Sequence, residues 1–225
     1  MNTTTRKGRG PARAPRPPGA RIDKGWVERA AADHLARYAT PRAHLRRLLL
    51  NRIRNAVRKG REVEEGIELA IDEVLDRHVG LGTIDDAAWA ETRARALTRR
   101  GVASQVVGQR LRQHGITDVA PALASVREAA LSPDRGEGQQ RDVPPDVVAG
   151  CAWARRKRAG PYAREGEPEP EGLSRDEQRA RREAERSAGQ KTLSAMARAG
   201  FSYDVCTRVL AMDRDAADEL LRRLA

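Results

Sequence analysis

The residues that could do chemistry in this chain are few and poorly placed for it. Gly189, Gln190, Lys191 and Thr192 have the composition of the end of a phosphate-binding loop. Such a loop needs adjacent Gly, Lys and Thr, a glycine five residues earlier and a strand leading in, so that backbone N–H groups converge on the phosphates. All three requirements fail here. His34 and His44 stand ten residues apart, and His78 and His114 are solitary, so none makes the i, i+4 pair that puts two ligands on one helix face. Cys151 and Cys206 lack close spacing, which argues against a disulfide framework or a zinc site. Glu68, Asp72 and Asp76 share the outer face of one helix, the pattern of a solvated surface rather than an acid–base pair. The residues therefore predict a protein that is not an enzyme, with no cofactor and no metal.

Uncompensated positive charge is what recurs. Lys and Arg number 43 against 32 Asp and Glu, for a formal charge of +11. From Arg37 to Arg61 there are nine basic residues and no acid. From Arg93 to His114 there are six arginines and no acid, and "RRKR" follows at 155–158. The acids gather further along each stretch. This segregation favours a surface for a long acidic partner over charge spread for solubility. The candidate binding residues are Arg47, Arg54, Arg58, Arg93, Arg99, Arg100, Arg110 and Arg112.

The elements that carry these arginines read as helices. Three Trp, three Tyr and one Phe are all the aromatic residues, so a core must be built from Ala, Leu, Val and Ile, which favours an all-α fold. Leu45, Leu48, Leu49, Ile53, Ala56 and Val57 make one helix face, with Arg47, Asn51, Arg54 and Arg58 opposite. Thr40 is the expected N-cap and Pro41 the expected first helical residue. Ile67, Ile71, Val74, Leu75 and His78 point a following helix inward. Asp85 or Asp86 caps the next helix, Val106, Val107 and Leu111 form a further stripe, and Ser202 caps a helix with Val205, Cys206, Val209 and Leu210 inward.

Trp26, Trp89 and Trp153 recur at intervals of 63 and 64 and are expected to anchor the core of three related units. At the first interval Leu48 lies over Leu111. The third copy, with Gly101 over Gly200 and Leu111 over Leu210, needs an offset of 99, which implies an insertion. The expected organisation is a disordered basic tail (1–24), a first helical repeat (25–82), a second (83–131), a linker (132–145), and a third (146–225) with a charged insertion at about 163–190. The tail has no apolar core like that of a secretory signal, and no apolar run approaches the ~20 residues that span a bilayer, so a cytoplasmic protein without a membrane partner is expected.

"LGTIDDAAWAETRARALTRRGVASQVVGQRLRQHGI" (81–116) resembles the central signature of the bacterial regulatory protein RecX family: a Gly-containing turn, an Asp-Asp helix start, an aromatic three residues later, an Arg-rich stretch and a helix ending in Gly-Ile. "AWARRKRAGPY" and "AGFSYDVCTRVL" are similar to its C-terminal signature. The resemblance covers roughly residues 26–225. It implies an elongated tandem array of three-helix repeats, monomeric, that binds the RecA filament on DNA and restrains its recombinase, ATPase and coprotease activities without catalysis. Two departures stand out: the long "ATPRAHLRRLLLNRIRNAVRKGREVEEG" in the first copy, and the acidic insertion in the third. The alternative is a sequence-tolerant nucleic-acid-binding helical protein that contacts DNA directly.

Overall fold

The computed structural model describes residues 21–131, 143–163 and 174–222. The tail up to residue 20, most of the expected linker and residues 164–173 of the insertion lie outside the described residues. Within them the chain is all-α: ten α-helices, one 3-10 turn and a single isolated parallel bridge. The chain divides into two compact units, one comprising Met1–Tyr38 with Leu45–Thr83, the other Ala39–His44 with Ile84–Ala225.

The first unit holds α1 (Lys24–Leu35), most of α2 (Arg42–Val57) and α3 (Ile67–Gly80). Asp23 caps α1, its carboxylate accepting the Trp26 N–H at 2.7 Å. Ile22 is fully buried and exchanges backbone hydrogen bonds with Glu62 and Glu64. Residues 21–24 therefore belong to the folded body, which corrects the expected tail boundary. The prolines end at Pro18, and Ile22 supplies the apolar anchor that the preceding residues lack. α1 packs on α3. Leu45, Leu49 and Ile53 of α2 are buried, as are Ile67, Ile71, Val74 and Leu75 of α3. The stripe on α2 is narrower than expected: Leu48 and Ala56 are half-buried and Val57 is exposed.

The second unit holds α4 (Asp86–Arg99), α5 (Ser104–Gln113), α6 (Ala120–Leu131), α7 (Pro145–Lys157), a 3-10 turn (Gly160–Tyr162), α8 (Arg175–Arg198), α9 (Tyr203–Leu210) and α10 (Arg214–Arg222). α4 packs on α6 around Ala90, Ala94, Leu97, Val107, Leu111, Ile116 and Val126. α7 packs on α9 and α10 around Val147, Trp153, Met196, Phe201, Val205 and Val209. The first helix of each triplet thus packs on the third: α1 on α3, α4 on α6, α7 on α9.

Two interlocks set the register of the repeat. Asp85 caps its own helix by accepting the Ala88 N–H, while its neighbour Asp86 accepts the N–H of Arg42, the first residue of α2, at 2.8 Å. Asp146 in the first turn of α7 does the same for Ser104, the first residue of α5, at 2.7 Å. A helix start has unpaired N–H groups and a partial positive charge, so a carboxylate there is stabilising. The second helix of one triplet is therefore capped by the first helix of the next. α2 begins at Arg42, one residue beyond the expected Pro41.

The second interlock is glycine against helix start. Gly115, at the end of α5, has φ +95°, and a Cβ there would collide with that of Ala43. Gly200, at the end of α8, has φ +94°, and a Cβ there would lie 2.8 Å from Val106 Cγ2 at the start of α5. Both need a residue that tolerates positive φ and presents no side chain. Gly200 is thus the counterpart of Gly115, not of Gly101 as the text alignment has it. The residues beside them agree: Ile116 and Phe201 are both buried, and Leu111 and Met196 are both fully buried. Helix α8 is the long counterpart of α5, and the extra length stands at its exposed N-terminal half. That half starts with its own capping box, Ser174 with Glu177.

The tryptophan interval is not the structural period. Trp89 follows Asp86 by three residues, whereas Trp153 follows Asp146 by seven. Trp153 is buried, but Trp89 and Trp26 are half-buried, so only one of the three is a fully enclosed anchor among the described residues.

Candidate partner-binding surface

All eight arginines singled out from the sequence are exposed. On α2, Arg47 and Arg54 lie away from the Leu45–Leu49–Ile53 stripe, Arg58 follows just beyond its end, and Arg54 donates to Asn51 Oδ1 at 3.4 Å. Arg46, in the same basic run, has a different role. It makes a two-pronged bond to Asp72 of α3 at 2.9 and 3.0 Å and is held protonated by that carboxylate. The run therefore mixes structural and exposed cations, a distinction that depends on a partner 26 residues away.

On α4, Arg95 is tied to Glu91 and Ser125, whereas Arg93 and Arg99 project without an ion pair among the described residues. Arg100, Arg110 and Arg112 are likewise without one. Arg99, Arg110 and Arg112 stand at helix C-termini, where the backbone dipole favours a cation by about 0.3–1 kcal/mol. That accounts for some of the charge locally and leaves the side chains open outward.

The second unit brings Arg99 and Arg100 to the end of α7. The Arg156 guanidinium donates to the Arg100 carbonyl at 2.7 Å. Gly101 lies so close to the α7 backbone that a Cβ would collide with the Trp153 N–H and stand 3.0 Å from the Ala149 carbonyl. Arg155, Arg156, Lys157 and Arg158 are all exposed. The "RRKR" run and the Arg99–Arg100 pair, some 55 residues apart in sequence, thus form one patch. Among the described residues no hydrogen bond or ion pair joins Arg93, Arg110 or Arg112 to it.

The other candidate groups fall into place by packing. Gly189–Thr192 lie inside α8, and Thr192 donates back to the Ala188 carbonyl at 2.9 Å, so this stretch is helix and not loop. His44 and His114 meet with ring centroids 4.8 Å apart, and His114 also meets Trp89 at 5.1 Å. Spacing in sequence could not have found this ring cluster, because the Gly115 interlock creates it. His78 bonds Thr83 within its own turn. Both cysteines are free and buried. Among the described residues no group of His, Cys, Asp and Glu is placed to hold a metal, and no helix is long and apolar enough to cross a membrane.

Comparison with known proteins places this arrangement. Regulatory protein RecX of Myxococcus xanthus (strain DK1622) is 30% identical to this chain over 206 residues, covering 91% of the chain and 92% of that protein. The chain belongs to the RecX family. Regulatory protein RecX of Agrobacterium fabrum (strain C58) is 28% identical over 186 residues, covering 80% of this chain and 83% of its own. No family model matches, and no solved structure matches. In this RecX-family chain the similarity extends through the interlocked helices and is not confined to one motif. The cations that sequence reasoning did not put in the candidate site are Arg155–Arg158. Their signal was visible as an acid-free run, but their proximity to Arg99 and Arg100 needed the α4–α7 packing.

Proposed function

We propose that this chain is a non-enzymatic regulator of the recombinase RecA, which binds the filament RecA forms on DNA and restrains its ATPase, recombinase and coprotease activities. It would act in the cytoplasm, as a monomer, in recombinational DNA repair and the SOS response. Membership of the RecX family carries the reading, supported by Arg93, Arg99, Arg100, Arg110 and Arg112, which are exposed and find no ion pair among the described residues. The expected repeats, residues 25–82, 83–131 and 146–225, would each present such cations. A repeat array suits a helical polymer because each unit can address a successive subunit.

The test is RecA's DNA-dependent ATPase with this protein at sub-stoichiometric ratio. Restraint is expected, and the variant R99E/R100E/R112E should relieve it while keeping its fold, since exposed charge changes are worth only about 0–1 kcal/mol each. The relief should be largest at low salt, where attraction is least screened. An ATPase rate unchanged by the wild-type protein would overturn the reading.

A further inference from the structure

We infer that the seam of α1 and α3 is a surface on which a second copy of this chain docks about a two-fold axis. The pairing goes beyond the proposed function, which concerns the monomer on its filament, and belongs to the free chain at high concentration. Leu69, Glu73, Arg77 and Leu81 recur every four residues and so form one ridge along α3 and its C-cap, about 18 Å long. All four are exposed. The leucines at its two ends, 71% and 69% accessible, are the only exposed leucines among the described residues.

The charges between them are matched within the chain. Lys24 of α1 pairs with Glu73, and Glu28, one turn further along α1, pairs with Arg77 at 2.9 Å. Those two bonds fix the seam, yet they leave the side chains of Glu73 and Arg77 62% and 58% accessible. They do nothing for the leucines. A single exposed leucine is ordinary, but two that flank opposite charges on one ridge make a bounded surface.

The order of the residues identifies the occupant. A two-fold axis midway between Glu73 and Arg77 reverses the second copy, as in any isologous contact. Leu69 then meets the second copy's Leu81, and Glu73 meets the second copy's Arg77, with each contact made twice. The charges run Lys24, Glu73, then the second copy's Arg77 and Glu28, alternating in sign throughout. A ridge with two acids or two bases between its leucines would repel its own copy and require a different partner. Ridges built on the i, i+4 row also pack into one another in the commonest helix-on-helix arrangement. The contact is small and belongs to the weak class, with a Kd on the order of 10 µM.

The experiment is sedimentation velocity of the full chain from about 1 to about 200 µM, a range that brackets such a Kd. The wild-type protein should pass from one chain toward two. Two half-swapped proteins test the axis. K24E/E73K and E28K/R77E each keep both intrachain pairs but set like charges across the two-fold. Each should self-associate at least about tenfold more weakly than wild type, because two facing pairs turn from attraction to repulsion. An equimolar mixture of the two should associate to within about threefold of wild type, because the acids of one then face the bases of the other. L69S/L81S changes only side chains that stand in water in the single chain, and it should weaken pairing by about tenfold or more through lost apolar contact.

A wild-type protein that stays a single chain throughout would overturn the inference. Half-swapped proteins that pair as well as wild type would move the contact elsewhere, and a mixture no stronger than its parts would remove the two-fold; either result overturns it too. Should a half-swapped protein fail to fold, the leucine variant decides, and undiminished association in that variant is again fatal to the inference.

Discussion

Removing either bridging carboxylate should destabilise the chain more than removing a local cap. Asp86 and Asp146 each accept one half-buried N–H at a helix start, at 2.8 and 2.7 Å. Loss of a cap of this kind costs about 1 kcal/mol. An N–H shielded from water adds part of the 1–3 kcal/mol paid for an unsatisfied donor. About 1.5 kcal/mol is then expected for Asp86→Ala and for Asp146→Ala, and about 3 for both together, since they serve different helices. For a chain of this size that corresponds to roughly 3–6 °C of melting temperature per site. Asp23→Ala, which removes an exposed local cap on α1, should cost less, about 1 kcal/mol. Urea titrations followed by circular dichroism give the free energies. Amide exchange at Arg42 and Ser104 gives the local reading and should accelerate only in the matching variant. Losses below about 0.5 kcal/mol for both bridging residues, with unchanged exchange, would refute the claim that these bonds complete the starts of α2 and α5.

Three further outcomes are expected. Gly101→Ala should be severely destabilising, about 3 kcal/mol or more, because the new Cβ meets α7 backbone, which cannot swing aside as a side chain would; a melting curve close to wild type would disprove the close seating. Trp153→Ala should cost about 3–5 kcal/mol and Trp89→Ala only about 1–2, because the first is buried and the second half-buried, and equal losses would contradict that ranking. Burial pushes the Cys151 thiol from 9.0 up to about 11 and raises Cys206 too. The unfolded chain ionises first, so this contribution is whole below about pH 9 and is lost as pH rises toward 11; a Cys151→Ala variant should show a shallower alkaline decline, and an identical decline would refute it.

The helices and most of their inward faces were legible because a period of 3.6 residues is a local property: Leu45, Leu49, Ile71, Val74, Val107 and Leu111 follow from spacing alone. The candidate arginines were legible as exposed for the same reason. Register was harder. The tryptophans caught the eye as rare large residues, yet the period is set by Asp86 with Asp146 and by Gly115 with Gly200, small residues whose roles lie in contacts 42 to 94 positions away. The Arg46–Asp72 pair and the His44–His114 contact escaped for a related reason. A charge or ring on a helix face looks alike whether it meets water or a neighbouring helix. Ile22 was missed because one apolar residue after a polar tail carries no periodic signal.

The bond from Asp86 to Arg42 spans 44 residues and that from Asp146 to Ser104 spans 42, always with the acceptor later in the chain. A chain emerging from the ribosome therefore makes the start of α2, and later of α5, before the group that completes it exists. At roughly 5–20 residues per second each opening turn waits about 2–9 s for its carboxylate. During that interval α2, and later α5, has a frayed beginning. Synthesis and consolidation are staggered by one triplet, and α8, carrying Ser174 and Glu177 at its own head, is the point where the waiting stops.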